Sequence, residues 1–354
     1  MKRRELLLAL AAAPLPALAR ANVSSPARVG TLVANEWLAR PDFMPYRSRD
    51  GLVLGLHYAE VATAYGALRL AAAMHDTALR GRIRERHGRW VDAKKVNTAN
   101  HVDVNVYGVW PLALSLKAGM SDDLARGLEM ADGQWRETTP DGLTAQARYW
   151  IDDIWMIGAL QTEAWRATKD RKYLDRAALM ARLYVVKLQQ PNGLFHHGTD
   201  APFFWARGNG WVAAGLAEIL SELPANHPDR PVILAAWRKM MAALLANQAE
   251  DGMWRQLIDR PDAWKETSGT AMFAFAMALG ARKGLLTGRA YSRAARKAWD
   301  ALIPYVQPDG KLTEICVGTG KSKEAAYYLA RPRAIGDLHG QAALLWLASE
   351  LANR

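Results

Sequence analysis

Two adjacent carboxylates, Asp152-Asp153, sit inside the run Arg148-Tyr149-Trp150-Ile151-Asp152-Asp153-Ile154-Trp155-Met156. Neighbours on a helix point about 100° apart, so the two cannot both face one pocket. One is free to handle a proton while the other caps the helix or meets its positive end. Trp150 would flank such a site, and Met156, four residues on, shares the face of Asp152. Three further stretches carry residues of the same kind: His101-Val102-Asp103-Val104-Asn105, Phe195-His196-His197-Gly198 followed by Trp205-Ala206-Arg207-Gly208-Asn209-Gly210-Trp211, and Asp337-Leu338-His339-Gly340. Alone, Asp152 and Asp153 read as ordinary first-turn acids; the company of Trp, His and Arg favours chemistry.

Arg207 lies between Trp205 and Trp211 in a glycine-rich segment. Its planar fork suits a carboxylate or ring oxygens, with backbone carbonyls as the structural alternative. Gly208 and Gly210 would let a ligand approach the backbone, yet no Gly-Lys-Ser/Thr follows to make a phosphate loop. No histidine pair has the i, i+4 spacing of a helical zinc site, so His101, His196 and His197 read as orienting groups and no metal is expected. Asp337 and His339 lack a Gly-x-Ser-x-Gly elbow to serve. Cys316, without an activating neighbour, reads as buried or pocket-lining.

The elements that must position these groups are announced by a recurring turn. Asp141-Gly142, Asn192-Gly193, Asp251-Gly252 and Asp309-Gly310 begin 51, 59 and 58 residues apart. Asp/Asn-Gly marks a turn because glycine accepts positive φ, and four at a common period imply a repeated supersecondary unit. An amphipathic helix precedes each turn, as in Leu174, Ala177, Ala181, Val185 and Leu188. A more uniformly apolar one follows, as in Trp211 to Leu220 and Gly269 to Gly280. That alternation predicts an outer and an inner helical layer; strand-like alternation is nearly absent. A unit of about 55 residues fits roughly six times into the chain, predicting six helical hairpins in a closed (α/α)6 toroid, with an open solenoid as the alternative. No linker divides residues 22–354, which read as one all-α domain.

Residues 1–21 read differently. Lys2, Arg3 and Arg4 precede an apolar run, Leu6 to Ala19, of signal-peptide length, with small-x-small cleavage candidates near Ala19 and Ala21. Arg3-Arg4 also fits twin-arginine export. Both point to a periplasmic or secreted protein. The formal charge is +11, and cleavage after Ala21 would lower it to about +8, a surplus that steers anions toward a cleft. The basic residues are dispersed and no nucleic-acid motif is present, so nucleic acid is not the expected partner. No run approaches the ~20 apolar residues of a membrane span. One cysteine excludes an intrachain disulfide framework. The 14 tryptophans suit sugar faces, with about half expected in the core.

Taken in order, Arg148-Tyr149-Trp150-Ile151-Asp152-Asp153, His197-Gly198, Trp205-Ala206-Arg207-Gly208-Asn209-Gly210-Trp211, Glu266-Thr267-Ser268, Cys316-Val317-Gly318-Thr319-Gly320 and Asp337-Leu338-His339-Gly340 resemble family 105 of the glycoside hydrolases. These are unsaturated rhamnogalacturonyl hydrolases, related to the unsaturated glucuronyl hydrolases of family 88. The resemblance implies an (α/α)6 barrel that works without a cofactor. It implies a substrate left by a polysaccharide lyase, an oligosaccharide ending in a 4,5-unsaturated uronic acid, galacturonyl or glucuronyl. Water adds across C4=C5, and the resulting hemiketal opens and sheds the linked sugar. One carboxyl group protonates C4 and then activates water, so the usual pair of flanking carboxylates is not needed. By motif, Asp152 resembles the general acid/base and Asp103 the second carboxylate. His197, Trp205, Arg207 and Trp211 resemble binding residues, and Trp150 and Met156 pocket walls. His101, Asn105 and His339 complete the candidate binding set.

Two other classes fit the same toroid: a sugar epimerase using His197 and His339 as its acid/base pair, and a sugar-binding protein without turnover. Under the hydrolase reading Asp152 must hold a proton although an aqueous Asp titrates near ~3.9. Burial beside Trp150 and the like charge of Asp103 are expected to raise it.

Overall fold

The computed structural model describes residues 24–353 apart from 96 and 116–120; the leader read at residues 1–21 lies outside the described residues. Six outer helices, α1 (Pro26–Ala39), α3 (Thr77–Asp92), α6 (Ser121–Gln134), α8 (Arg171–Leu188), α10 (Arg230–Ala246) and α12 (Ala290–Leu302), alternate with six inner ones. The inner helices are α2 (Tyr58–Ala73), α5 (Val109–Ser115), α7 (Asp153–Thr168), α9 (Ala206–Glu222), α11 (Thr267–Arg282) and α14 (Leu338–Ala352). Two short helices, α4 (Val102–Asn105) and α13 (Ala325–Leu329), sit in connections. Each inner helix packs on the next in chain order, and α14 packs back on α2. The (α/α)6 toroid is therefore closed, not an open solenoid.

The layering follows from side-chain distribution. Inner α9 is buried at every position from Ala206 to Leu220, whereas outer α12 buries only Ala294, Ala295, Ala298, Trp299 and Leu302. The outer helix thus covers the inner one with a single stripe. Ten of the 14 tryptophans are fully buried, more than half. Trp155, Trp211 and Trp346 meet at the centre with ring centroids 5.0 to 5.6 Å apart.

The four Asp/Asn-Gly turns share one geometry. Gly142, Gly193, Gly252 and Gly310 have φ between 80 and 93°. In each, the glycine N–H donates three residues back and the preceding Asp or Asn carboxyl or amide oxygen accepts from the residue after the glycine. A fifth such turn, at Asp50-Gly51 (φ 85°), has the same backbone pattern. A Cβ on Gly193 would meet Lys239 O of α10 at 2.8 Å, on Gly252 Lys297 O of α12 at 2.7 Å, and on Gly310 Leu32 O of α1 at 2.7 Å. Each of these three turns seats itself on the next outer helix, the last of them on the first.

Three two-stranded antiparallel ribbons lie in the long connections: β1 (Pro45–Arg47) with β2 (Val53–Leu56), β3 (Trp254–Arg255) with β4 (Lys265–Glu266), and β5 (Ile315–Cys316) with β6 (Arg333–Ala334). At two to four residues these strands are too short to display alternation. The long connections all enter inner helices at their N-termini, so they gather at one mouth. The opposite mouth is closed by charge: Arg69 to Glu218 at 2.6 Å and Arg166 to Glu218 and Glu163 at 2.7 and 2.6 Å. No helix among the described residues is long and apolar enough to cross a membrane.

Candidate active site

The open mouth is ringed by the residues that start the inner helices. His57 Nδ1 accepts from the Ala59 amide at 3.1 Å, and His101 Nδ1, ahead of α4, from that of Asp103 at 3.2 Å. Glu266 accepts from Ser268 and Gly269 at 3.0 and 2.6 Å, and Asp337 from His339 at 2.9 Å. Asp152 occupies the cap position of α7, yet its carboxylate makes no cap bond. The inner-helix N-termini thus open on one mouth, two of them already capped by the carboxylates of Glu266 and Asp337.

The two neighbouring acids divide as their angular separation requires. Asp153 is fully buried and committed: it accepts from Arg148 Nε, Arg148 Nη2, the Arg148 amide and the Tyr184 hydroxyl, at 2.9, 2.6, 2.8 and 2.7 Å. The same guanidinium reaches Asp103, Nη1 to Oδ2 at 2.8 Å and Nη2 to Oδ1 at 3.0 Å. Asp152, 9 % exposed, keeps a buried Oδ2 without a hydrogen-bond partner. Facing it at 3.5 Å is Nε2 of His197, equally buried and equally unpaired. The other ring nitrogen of His197 lies 2.8 Å from the Tyr328 hydroxyl.

The electrostatics correct one expectation. Burial pushes the Asp152 carboxyl up, but His197, then Arg148 and Arg207, outweigh it and hold the group below the usual carboxylate range. The like charge on Asp103 does not dominate, because Arg148 neutralises it in a two-nitrogen ion pair. Burial, reinforced by His339, lowers His57 to about 3. Burial also raises the Tyr58 phenol, with Asp103 and Asp152 adding to the rise.

The remaining candidates fall into two groups. His197 faces the carboxylate, Trp150 and Trp205 pack on His197, and His101 lies beside Asp103. Trp150 is half-buried, packs its edge on His197 at 5.7 Å and lies 5.1 Å from both Arg148 and Lys321. His101 stacks on Tyr46 at 5.7 Å, and Trp205 lies against His197 at 4.6 Å. His339 bonds Asp337 through Nδ1 at 2.6 Å and the Tyr58 hydroxyl through Nε2 at 2.9 Å. Both its nitrogens are hydrogen-bonded within the protein.

Four candidates support the site from beneath. Met156 is 0 % exposed in the core under α7, not a pocket wall, because the helical face it shares with Asp152 turns inward one turn below the mouth. Trp211, also 0 % exposed, packs on Trp155 and Trp346. Asn105 is buried and donates to Asn100 Oδ1 at 2.7 Å. Arg207 is 1 % exposed and its fork donates to the carbonyls of Cys316 and Val317, the structural alternative noted for it. It joins the 315–317 segment to α9 and acts on Asp152 through charge. Cys316 is buried.

Sequence reasoning passed over Arg148, Tyr58 and Tyr328 as individual groups. Arg148 stood in the motif, five residues before Asp153, a spacing that permits a local ion pair. Nothing in the spacing of Tyr328, 131 residues from His197, signalled its contact.

The profile of Glycosyl Hydrolase Family 88 matches residues 51–354. An unsaturated 3S-rhamnoglycuronyl hydrolase of Alteromonas sp. (strain LOR) is 31% identical over 216 residues, 57% of this chain and 50% of that one. An unsaturated rhamnogalacturonyl hydrolase of Bacillus subtilis (strain 168) is 27% identical over 214 residues, 58% of this chain and 60% of that one. The chain therefore spans about half the length of the curated relatives it matches. Among solved structures, a possible member of the GH105 family from Salmonella enterica serovar Paratyphi A superposes with a TM-score of 0.84 at 22% identity, covering 100% of both chains. The unsaturated glucuronyl hydrolase of Bacillus sp. GL1 superposes with a TM-score of 0.66 at 17% identity, over 90% of this chain and 94% of that one. Their shared fold is the toroid described above, and the profile, spanning most of the ring and every candidate residue, shows that the chain belongs to Glycosyl Hydrolase Family 88.

Proposed function

We propose that this protein removes a terminal 4,5-unsaturated uronic acid from lyase-generated oligosaccharides, as an unsaturated rhamnogalacturonyl hydrolase; an unsaturated β-glucuronyl substrate is the alternative. The observation that carries the reading is the buried, unpaired Oδ2 of Asp152 at a mouth where helix N-termini converge. Buried polar atoms are rarely left without partners; this one meets the equally unpaired Nε2 of His197 at 3.5 Å, while the Asp152 side chain as a whole keeps 12 % exposure. Asp152 donates a proton to C4, leaving an oxocarbenium ion at C5 that the ring oxygen stabilises. The resulting carboxylate takes a proton from water as the water oxygen bonds to C5. The hemiketal then opens at the C5–O5 bond, and the hemiacetal left at C1 expels the linked sugar as its alcohol.

This scheme requires Asp152 to be protonated in the loaded site, although His197 and two arginines favour its anion in the empty one. A uronate carboxylate entering beside it adds a like charge and displaces water, and both raise the pKa. The positive helix ends and the surplus of basic residues support an acidic ligand. The test is loss of ultraviolet absorbance from the conjugated uronate when purified protein meets lyase-digested pectin, ulvan or glycosaminoglycan. Undiminished absorbance with all three overturns the reading. Export to the periplasm or medium is part of the same proposal, supported by Lys2-Arg3-Arg4 and the apolar run after it. A mature N-terminus near Ala21 in the exported fraction tests it, and retention of residues 1–21 in the cytoplasm refutes it.

A further inference from the structure

We infer that Tyr328 is a positioning residue whose hydroxyl fixes the His197 imidazole in the tautomer that points Nε2–H at Asp152. The activity readouts below rest on the hydration reading; the tautomer itself does not. Tyr328 Oη lies 2.8 Å from His197 Nδ1 and accepts from the Ser322 amide at 3.2 Å. A phenol carries one proton. With the Ser322 N–H already directed at the oxygen, that proton has His197 Nδ1 as its acceptor. A neutral imidazole that accepts at Nδ1 carries its hydrogen at Nε2. That nitrogen is buried, has no partner, and lies 3.5 Å from the unpartnered Oδ2 of Asp152. The donors therefore run one way, from the Ser322 amide through the Tyr328 hydroxyl and the imidazole to the carboxylate.

The ring has no other way to adapt. His197 is 0 % exposed, wedged between Trp205 at 4.6 Å and the edges of Trp150 and Tyr328 at 5.7 Å. The charged and titratable groups acting on Asp152 are His197 and Arg148 from the loops, Arg207 from α9, Tyr58 from α2 and Tyr328 from α13. Arg148 is locked by two carboxylates and Arg207 by two carbonyls. Tyr58 is tied to His339. Among these five, the element still able to change is the site of the imidazole proton. Because α13 belongs to the segment joining β5 to β6, that proton also reports whether this segment is seated.

The experiment is 15N NMR of ring-labelled histidine in the full-length protein, with the His197 signals assigned through His197→Gln. The parent is expected to show Nε2–H, and Tyr328→Phe a mixture of tautomers. In parallel, Tyr328→Phe should lower kcat about 10-fold with KM little changed, the lower end of what removing the orienting partner of a metal-bound histidine costs. The N–H facing Asp152 at 3.5 Å is then present only part of the time, so the limb on which activity falls with rising pH should move to higher pH. An Nδ1–H parent overturns the inference even if Tyr328→Phe does not fold. So does a variant with unchanged tautomer and unchanged pH profile. An Nε2–H parent that never consumes an unsaturated uronide sinks the hydration reading and leaves the tautomer assignment standing.

Discussion

Arg148 is shared between Asp103 and Asp153, binding the first with Nη1 and Nη2 and the second with Nε and Nη2. Asp103 comes from α4 and Asp153 from the first turn of α7, so one guanidinium fastens two inner-helix entries around Asp152. Under the proposed hydration, Asp103 therefore acts on Asp152 through Arg148 and not as a bare neighbouring charge.

Replacing Arg148 by Met should strand both carboxylates in partly or wholly buried positions. Removing one partner of a buried pair costs about 3–5 kcal/mol, and Arg148, 25% exposed at its side chain, belongs at the lower end of that range. Denaturant unfolding measures it. A loss under about 1 kcal/mol, the value of a surface pair, would show that the ion-pair node contributes little.

Asp103→Asn should leave Arg148 with one anionic partner and more free positive charge beside Asp152. The Asp152 carboxyl is already held low, and the change lowers it further. The proposed hydration requires its protonated form, so the limb that falls with rising pH should shift to lower pH. The drop at neutral pH should then exceed the drop in mild acid. Parent and variant pH–rate profiles on one unsaturated disaccharide decide the matter, and an unmoved limb would reduce Asp103 to a positioning role.

The two neighbouring acids should separate function from stability. Asp152→Asn removes the proposed proton donor and should cost about 10²–10⁴-fold in kcat. It leaves Tm within a degree or two, since the side chain makes no cap bond. Asp153→Asn should do the reverse in emphasis: it weakens bonds to Arg148 and Tyr184 at a fully buried position, and Tm should fall clearly. Absorbance assays with thermal melts read both, and turnover within a few-fold of the parent in Asp152→Asn would move the acid assignment elsewhere.

Glycines with the same backbone angle should differ in cost. Gly51 (φ 85°) has no atom within 4 Å of an added Cβ, so Gly51→Ala costs only the left-handed backbone, about 1–2 kcal/mol. Gly193 (φ 91°) adds a clash with the Lys239 carbonyl at 2.8 Å, and Gly193→Ala should cost visibly more. Equal melting temperatures for the two variants would mean that the turn does not bear on its neighbour.

The turns made the toroid legible because Asp/Asn-Gly is a local signal with one conformational meaning, here realised with near-identical hydrogen bonds. The fifth turn, at Asp50-Gly51, obeys the same rule; it escaped the count because the unit after it, near residue 94, turns through Lys94 at φ 50° instead of glycine. Asp152 stands out in the sequence because it lies in a dense run of unusual residues, and the fold puts it at the start of α7, at the mouth. Met156 and Trp211 were read one layer too high: helical spacing says which face a side chain shares, not how far below the rim that face is covered. Arg207 was ambiguous for a different reason, since carbonyl oxygens and a uronate carboxylate satisfy a guanidinium equally well. The Tyr328–His197 contact depends on the fold bringing distant loops together, and no local pattern encodes it.

The seat of Gly310 on α1 and the packing of α14 on α2 mean that the described chain meets itself at a seam. During synthesis the first hairpin waits for its last neighbour, and an apolar flank of α2 stays wet until α14 has left the ribosome. A circular permutant that joins the two sides of the seam and opens the short link at Lys169-Asp170 would move that delay to another pair of helices, at the mouth far from Asp152. Order of assembly and catalytic geometry are thus separable in this ring, because the linker at the far mouth touches none of the groups that hold the acid.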